Sequence, residues 1–258
     1  MLTLPMESLT DAVNIYFWPF VRLLALFHAA PVFSEKGIDR KTKIGLALLV
    51  TLLVAGELPP QPVPLFSLNG LWLALRQLVI GVAMGFSIQF MFVAVRIAGE
   101  VIGLQMGLSF ATFFDPSSGS MPIIARLLNV LVTLLFLTFN GHLWMLRIVT
   151  DSFVALPISD APFNGQIFLW LSTSAAAIFA SALMLCLPVM IVLLCINLTL
   201  GVLNRFTPQL SIFVVGFPLT LTSGLVALWV ITGAIGPWFE ALMGENFARL
   251  VLLVQGLR

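Results

Sequence analysis

Charge is what this sequence has least of. Lys, Arg, Asp and Glu together make up 9% of its 258 residues, where a soluble domain carries about a quarter. That scarcity excludes a water-solvated globule and requires burial in lipid or among other apolar subunits. The formal net charge of +1 leaves no basic stripe to neutralise phosphates, so a nucleic-acid partner is excluded. Cysteine and histidine are equally scarce, with two of each. Cys186 and Cys195 lie in one apolar segment on roughly opposite sides of a helix turning about 100° per residue, and read as small apolar side chains rather than a bridge. Neither they nor the solitary His28 and His142 show metal-ligand spacing. There is no Gly-rich phosphate loop, no Ser/His/Asp set and no His/Glu cluster. No catalytic residue, metal or cofactor is therefore assigned, and an enzyme is not expected. The N-terminus also lacks the basic cluster of a secretory signal. Its first charges are Glu7 and Asp11, Arg22 and His28 interrupt the apolar run, and a cut after Ala30 would leave His28 where a small residue is needed. The first segment is expected to stay in the mature chain.

What the sequence does have is apolar length: 60% hydrophobic residues and a mean hydropathy of +1.11. Apolar segments fall at Ala12 to Phe33, Ile44 to Leu58, Leu71 to Val95, Leu127 to Val149, Ile167 to Leu203 and Ile212 to Phe239. A span needs about 20 residues to cross a hydrocarbon core of about 30 Å. The second segment is short for that, and the fifth is too long for one span and contains Pro188, where a bend or division is expected. The class is an all-α membrane protein, organised as one domain over residues 1–258 without a repeat or a low-complexity tail. Four of the twelve basic residues, Lys36, Arg40, Lys41 and Lys43, share one short loop, which the positive-inside rule places in the cytoplasm. The chain start, the Pro-rich connection at 57–70 and the Asp151–Asp160 region then lie outside, and Arg205 sits at an inner turn.

The densest signal lies at residues 99–122. Gly99, Gly103 and Gly107 fall at four-residue spacing, as do Gly81 and Gly85, and such stripes let helices approach closely in lipid. They serve either packing within the chain or contact with another subunit, with a slight preference for assembly. Arg96 and Glu100 stand at i, i+4 and could pair on one helix face. An isolated charge in hydrocarbon is costly, so a pair or an aqueous contact is expected. A structural pair or a salt bridge to a partner protein is favoured over a proton or cation site at Glu100. Phe110, Phe113 and Phe114, flanked by Met106 and Met121, follow on a segment broken by Asp115-Pro116, serines, glycine and Pro122. An irregular segment at membrane depth must be buried in protein or line a cavity, and bulky apolar side chains there can gate a pore by excluding water. From the residues alone, gating and a plain re-entrant connection both stay open. The basic loop is either a contact for cytoplasmic partners and anionic lipid or a simple determinant of topology.

Several motifs, in order, carry a resemblance. Ala30-Pro31-Val32-Phe33 follows the first segment, and Gly99-Glu100 through Gln105-Met106-Gly107-Leu108-Ser109 leads to Asp115-Pro116. Pro188-Val189 precedes Asn197-Leu198-Thr199-Leu200-Gly201, and Arg205-Phe206-Thr207-Pro208-Gln209-Leu210 leads to Ile212-Phe213 and Gly216-Phe217-Pro218. Together these resemble the FliR family of flagellar biosynthetic proteins, which includes the T-type export proteins of virulence injectisomes; the pattern here is the more flagellar.

The resemblance implies packed helical hairpins with kinked or broken helices and a pore-directed loop, as if a FliP-like and a FliQ-like subunit were joined in one chain. It implies one copy assembling with several FliP-like and FliQ-like subunits, near FlhB-like and FlhA-like membrane proteins. The complex would form an export gate in the bacterial inner membrane at the flagellar basal body, through which unfolded flagellar proteins pass. By position, Met106 to Pro122 is the plug, with Phe110, Phe113 and Phe114 facing the channel. The resemblance also implies that the hairpins need not each cross the bilayer. The alternative function is a small-solute secondary transporter that uses Glu100 as its coupling site and the region near Pro188 for binding.

Overall fold

The structure is a computed structural model that describes residues 6–33, 37–56, 58, 67–108, 122–158, 165–207 and 212–256. Among these residues there are seven helices and no strand: α1 Met6–Ala29, α2 Arg40–Ala55, α3 Leu68–Gln105, α4 Ile123–Thr138, α5 Gly141–Ala155, α6 Gln166–Phe206 and α7 Ile212–Gly256. α3, α6 and α7 are each long and apolar enough to cross a membrane, and α4 with α5 forms a bent apolar pair. The expected all-α membrane class is therefore what the chain adopts.

The helix boundaries have local causes. Ser67 caps α3, its hydroxyl accepting from the Gly70 amide at 2.9 Å, which satisfies one of the donors a helix start leaves orphaned. α1 is followed by a tight turn in which the Phe33 amide donates to the Pro31 carbonyl at 2.7 Å. Val32, between them, sits at φ 66°, a costly conformation for a β-branched residue. Hydroxyls inside the apolar helices turn back on their own backbone. Thr51, Ser87 and Thr133 each donate to the carbonyl four residues earlier, at 2.6, 2.7 and 2.8 Å, so they add no unmet polar group.

Two of the apolar segments differ in continuity. Leu127 to Val149 is not one continuous helix: α4 ends at Phe139 and Asn140 adopts φ 57°, so α5 starts afresh at Gly141. Asparagine tolerates this left-handed backbone better than most residues, and one such residue ends a helix whatever the hydropathy around it. The fifth segment is not divided: α6 runs through Pro188 without interruption. A proline removes one intrahelical bond, and in a helix of 41 residues the remaining ladder holds the two sides together.

The chain packs as two compact units, Met1–Phe90 with Asn140–Ser174 and Glu245–Arg258 in the first, and Met91–Phe139 with Ala175–Gly244 in the second. In the first unit, α1 packs on α2, and Trp18, Leu73, Phe153 and Ile158 form a buried cluster. Trp144 stacks on Phe247 at 6.2 Å between ring centroids. At the middle of this unit Arg22 is fully buried. Its Nε donates to Gln77 Oε1 at 2.7 Å, Nη1 donates to both the carbonyl and the hydroxyl of Ser152 at 3.0 Å, and Nη2 donates to the Leu156 carbonyl at 2.8 Å. The guanidinium carbon also lies 4.2 Å from the Phe153 ring centroid. Ser152 and Leu156 stand at the end of α5, the negative end of its helix dipole, and the Ser152 carbonyl also accepts from the Leu156 amide at 2.8 Å. The charge of Arg22 is thus met by a helix C-terminus and a π face rather than by a carboxylate. In the second unit, Phe92 meets Phe136 and Phe239 edge-on at 5.5 and 6.1 Å.

Candidate functional site

The densest stretch of the sequence is rooted in the second unit, on α3, α4 and α7. α3 ends in a Schellman arrangement: the Leu108 amide donates to the Gly103 carbonyl at 3.0 Å and the Gly107 amide to the Leu104 carbonyl at 3.1 Å. Gly107, at φ +79°, is the left-handed residue that this motif requires. The five-residue step back from Leu108 to Gly103 marks a helix that has stopped, so Gly107 is not a third member of a stripe on one helix face. Four-residue spacing reads the same in sequence whether the last glycine continues the helix or ends it.

α3 and the start of α4 touch at Gly99. A Cβ on Gly99 would fall 2.5 Å from the Ala125 Cα and 2.9 Å from its amide nitrogen, so the backbones approach too closely for any side chain. Gly103 is looser, with Ile124 side-chain atoms at 3.8 Å, an ordinary contact. On the other side α7 closes against the end of α3. A Cβ on Gly224 would meet the Met106 Cγ at 2.5 Å, and the Thr220 hydroxyl lies 3.5 Å from the Met106 carbonyl oxygen. The start of α4 is thus held against the last two turns of α3 by the Gly99–Ala125 and Gly103–Ile124 contacts.

The predicted plug residues divide. Met106 is fully buried, locked against Gly224, and is a root of the segment rather than a free stopper. Phe110, Phe113, Phe114 and Met121 lie outside the described residues. Gly81 and Gly85 serve packing within the first unit: a Cβ on Gly81 would collide with the Arg22 carbonyl oxygen and Ala25, and one on Gly85 with Ala29 at 2.6 Å and Leu26. Gly99 is likewise met inside the chain, so three of the five glycines have their close neighbour in this same polypeptide.

Arg96 and Glu100 share α3, but no ion pair joins them among the described residues. The two ion pairs found there are Arg147 with Asp151 at 3.9 Å and Arg249 with Glu245. The Arg96 Nε is buried without a hydrogen-bond partner, as is the Asn129 Oδ1 on α4. By register both lie between the Gly99–Ala125 and Phe92–Phe136 contacts, an unmet donor and an unmet acceptor on neighbouring helices. Of the basic loop, Lys36 lies outside the described residues, Arg40 and Lys41 are exposed and Lys43 is half-buried. Sequence reasoning passed over Gly224, Ala125 and Thr220, which are unremarkable until α7 is folded against α3. It also passed over Arg22 as a structural centre, although a lone cation inside an apolar run was a signal that partners had to exist.

A family model for bacterial export proteins, family 1, matches residues 13–246. The flagellar biosynthetic protein FliR of Escherichia coli (strain K12) is 49% identical over 258 residues, covering 100% of this chain and 99% of that protein. The chain belongs to the FliR family. The FliR of Pectobacterium carotovorum is 53% identical over 251 residues, covering 97% of this chain and 96% of its own. The FliR of Bacillus subtilis (strain 168) is 29% identical over 229 residues, with 87% and 88% covered. Membership in the FliR family places the chain in flagellar biosynthesis and protein export.

Proposed function

We propose that the chain is a non-enzymatic subunit of the flagellar protein-export channel in the bacterial inner membrane, at the basal body. It assembles with FliP-like and FliQ-like subunits, beside FlhB-like and FlhA-like membrane proteins, around a pore for unfolded flagellar proteins. The segment from Met106 to Pro122, carrying Phe110, Phe113, Phe114 and Met121, helps close that pore.

The observation that carries this reading is the apolar length of α6. Its 41 residues extend about 61 Å at about 1.5 Å per residue, roughly twice a hydrocarbon core of about 30 Å. A tilt of about 40°, the upper end for membrane helices, stretches lipid cover only to about 39 Å. Yet exposed apolar side chains occur almost from end to end, from Leu169 at 69% exposure to Phe206 at 77%. Lipid alone does not cover such a surface, so protein neighbours do. A lone carrier for small solutes has no such need. The rooting of both ends of the Phe-rich segment in one packed corner supports the plug, because a loop tethered at both feet can close a pore without drifting from it.

The test is deletion of Phe110 to Gly119. The full complex is expected to assemble in fixed ratio with its FliP-like and FliQ-like partners and to leak ions or small molecules when reconstituted. A deletion complex that assembles and leaks no more than the unaltered one overturns the plug. Solute transport by the chain alone in liposomes, lost in Glu100→Gln, overturns the subunit reading in favour of a carrier.

A further inference from the structure

The first unit carries an apolar groove that the gate reading leaves unused. It lies between α1 and α2, holds about 380 Å³, and is lined by Tyr16, Phe17 and Phe20 on one side and Leu48 and Leu52 on the other. Thr51, also in the lining, donates its hydroxyl to its own Ala47 carbonyl at 2.6 Å, so it presents no free hydrogen-bond donor to an occupant. Leu48 and Leu52 are about half exposed, at 51% and 56%.

On α2 these two leucines continue a single i, i+4 ridge: Arg40, Ile44, Leu48, Leu52. Side chains at that spacing stack along one helix face. The parallel ridge runs Lys41, Gly45, Leu49, Leu53, and a Cβ on Gly45 would meet nothing within 4 Å. The apolar face of α2 thus leads directly into a cluster of three cations, Arg40, Lys41 and Lys43. No carboxylate pairs with them among the described residues. They do nothing for the helix itself, since positive charge in a first turn opposes the helix dipole. Asp39, exposed beside them at the helix N-cap, cancels only one of these charges and leaves the described turn net positive.

We propose that this groove binds one anionic phospholipid, its headgroup phosphate on Arg40, Lys41 and Lys43 and one acyl chain lying along Leu48 and Leu52 against Tyr16 and Phe20. Two features select a lipid over a protein helix. By helix register the cations stand one to two turns beyond Leu48, outside the lining and toward one end of α2, which matches a molecule charged at one end and apolar along the rest. The distance from Arg40 to Leu52, twelve residues of helix, is about 18 Å, close to the depth of one leaflet, half of about 30 Å. The positive-inside rule puts this end in the cytoplasmic leaflet, where anionic lipid is enriched. The proposal does not depend on whether residues 106–122 close a pore.

The test is native mass spectrometry of the full chain, offered phosphatidylglycerol and phosphatidylcholine with identical acyl chains. The chain is expected to retain phosphatidylglycerol over phosphatidylcholine on the order of tenfold, since basic residues near a membrane surface attract anionic headgroups. Replacing Arg40, Lys41 and Lys43 together by Gln, the first two exposed and the third half-buried, is expected to bring that ratio near one with an unchanged melting profile. Leu48→Trp, which fills the groove and keeps the cations, is expected to lower retention of both lipids several-fold. Equal retention of the two lipids by the unaltered chain overturns the proposal, as does a preference that survives the triple substitution. Undiminished binding to Leu48→Trp leaves a headgroup adsorbed on the surface and also overturns it. Protection of a Leu48→Cys thiol by partner chains, with no lipid retained, gives the groove to a protein helix instead.

Discussion

Arg22 shows what a single residue can decide in an apolar chain. Its guanidinium joins α1 to Gln77 on α3 and to the end of α5, and all of this happens away from solvent. Arg22→Met removes the charge together with the donors that satisfy the Leu156 carbonyl and the Gln77 side-chain oxygen. The expected cost is about 3 kcal/mol, since two buried neutral acceptors are left without a donor at about 1–3 kcal/mol each. Ser152→Ala leaves three of those bonds in place and should cost about 1 kcal/mol. Arg22→Lys should resemble Arg22→Met, because an ammonium does not reproduce a planar fork that reaches both α3 and the end of α5. Denaturant titration of the purified chain checks the order, and equal stability of Arg22→Met and Ser152→Ala would show that the network carries little. That a partner set existed was legible in the sequence, since Arg22 is the one cation inside the first apolar run. Which residues formed it was not. Gln77 and Ser152 lie 55 and 130 positions away, and only the packing of three helices brings them there.

At the scale of elements, glycines that look alike in sequence do different work. Gly99 touches Ala125 backbone, Gly103 has ordinary clearance from Ile124, and Gly107 ends α3 with a positive φ. Gly103→Ala is therefore expected to be silent or slightly stabilising, since alanine is about 1 kcal/mol better than glycine inside a helix. Gly99→Ala forces α3 and α4 apart and should cost several times more. Gly107→Ala should fall between, with about 1–2 kcal/mol of left-handed strain and a Phe217 ring carbon 3.3 Å from the new Cβ. Thermal unfolding of the three variants in one detergent tests the ranking, and a destabilised Gly103→Ala beside a normal Gly99→Ala would reverse it. The positions of the helices were legible because hydropathy sets them over many residues. The breaks were not, because one residue sets each. Asn140 splits an apolar segment by adopting φ 57°, while Pro188, the expected breaker, lies within an unbroken helix.

For the whole molecule the open question is which ends face which side of the membrane. Charge bias and helix length give different pictures. The positive-inside rule makes every connection alternate, with the 34–43 loop inside and the region before α6 outside. The long helices do not fit that scheme simply, since α3, α6 and α7, at 38, 41 and 45 residues, run about 57–67 Å each. Each has about twice the length that the hydrocarbon core needs, so at least one end of each stands well clear of lipid. If that excess lies on one side, both ends of a hairpin can reach the same compartment, and the charge rule fails for that hairpin. Two exposed glycines test this. A Cβ at Gly37 or at Gly165 would meet nothing within 4 Å, so a cysteine fits at either position without repacking. In a background of Cys186→Ala and Cys195→Ser, Gly165→Cys is expected to react with an impermeant maleimide added to intact spheroplasts. Gly37→Cys is expected to react only after the membrane is opened, because moving the adjacent cations Arg40, Lys41 and Lys43 across lipid costs about 2.5–3.5 kcal/mol each. Labelling of both cysteines from outside would mean that α1 and α2 are held on the outer side by partner subunits strongly enough to override three positive charges. The cationic end of α2 would then face the wrong leaflet for an anionic lipid. The same labelling result therefore also bears on the α1–α2 groove, which needs its charged end in the cytoplasm.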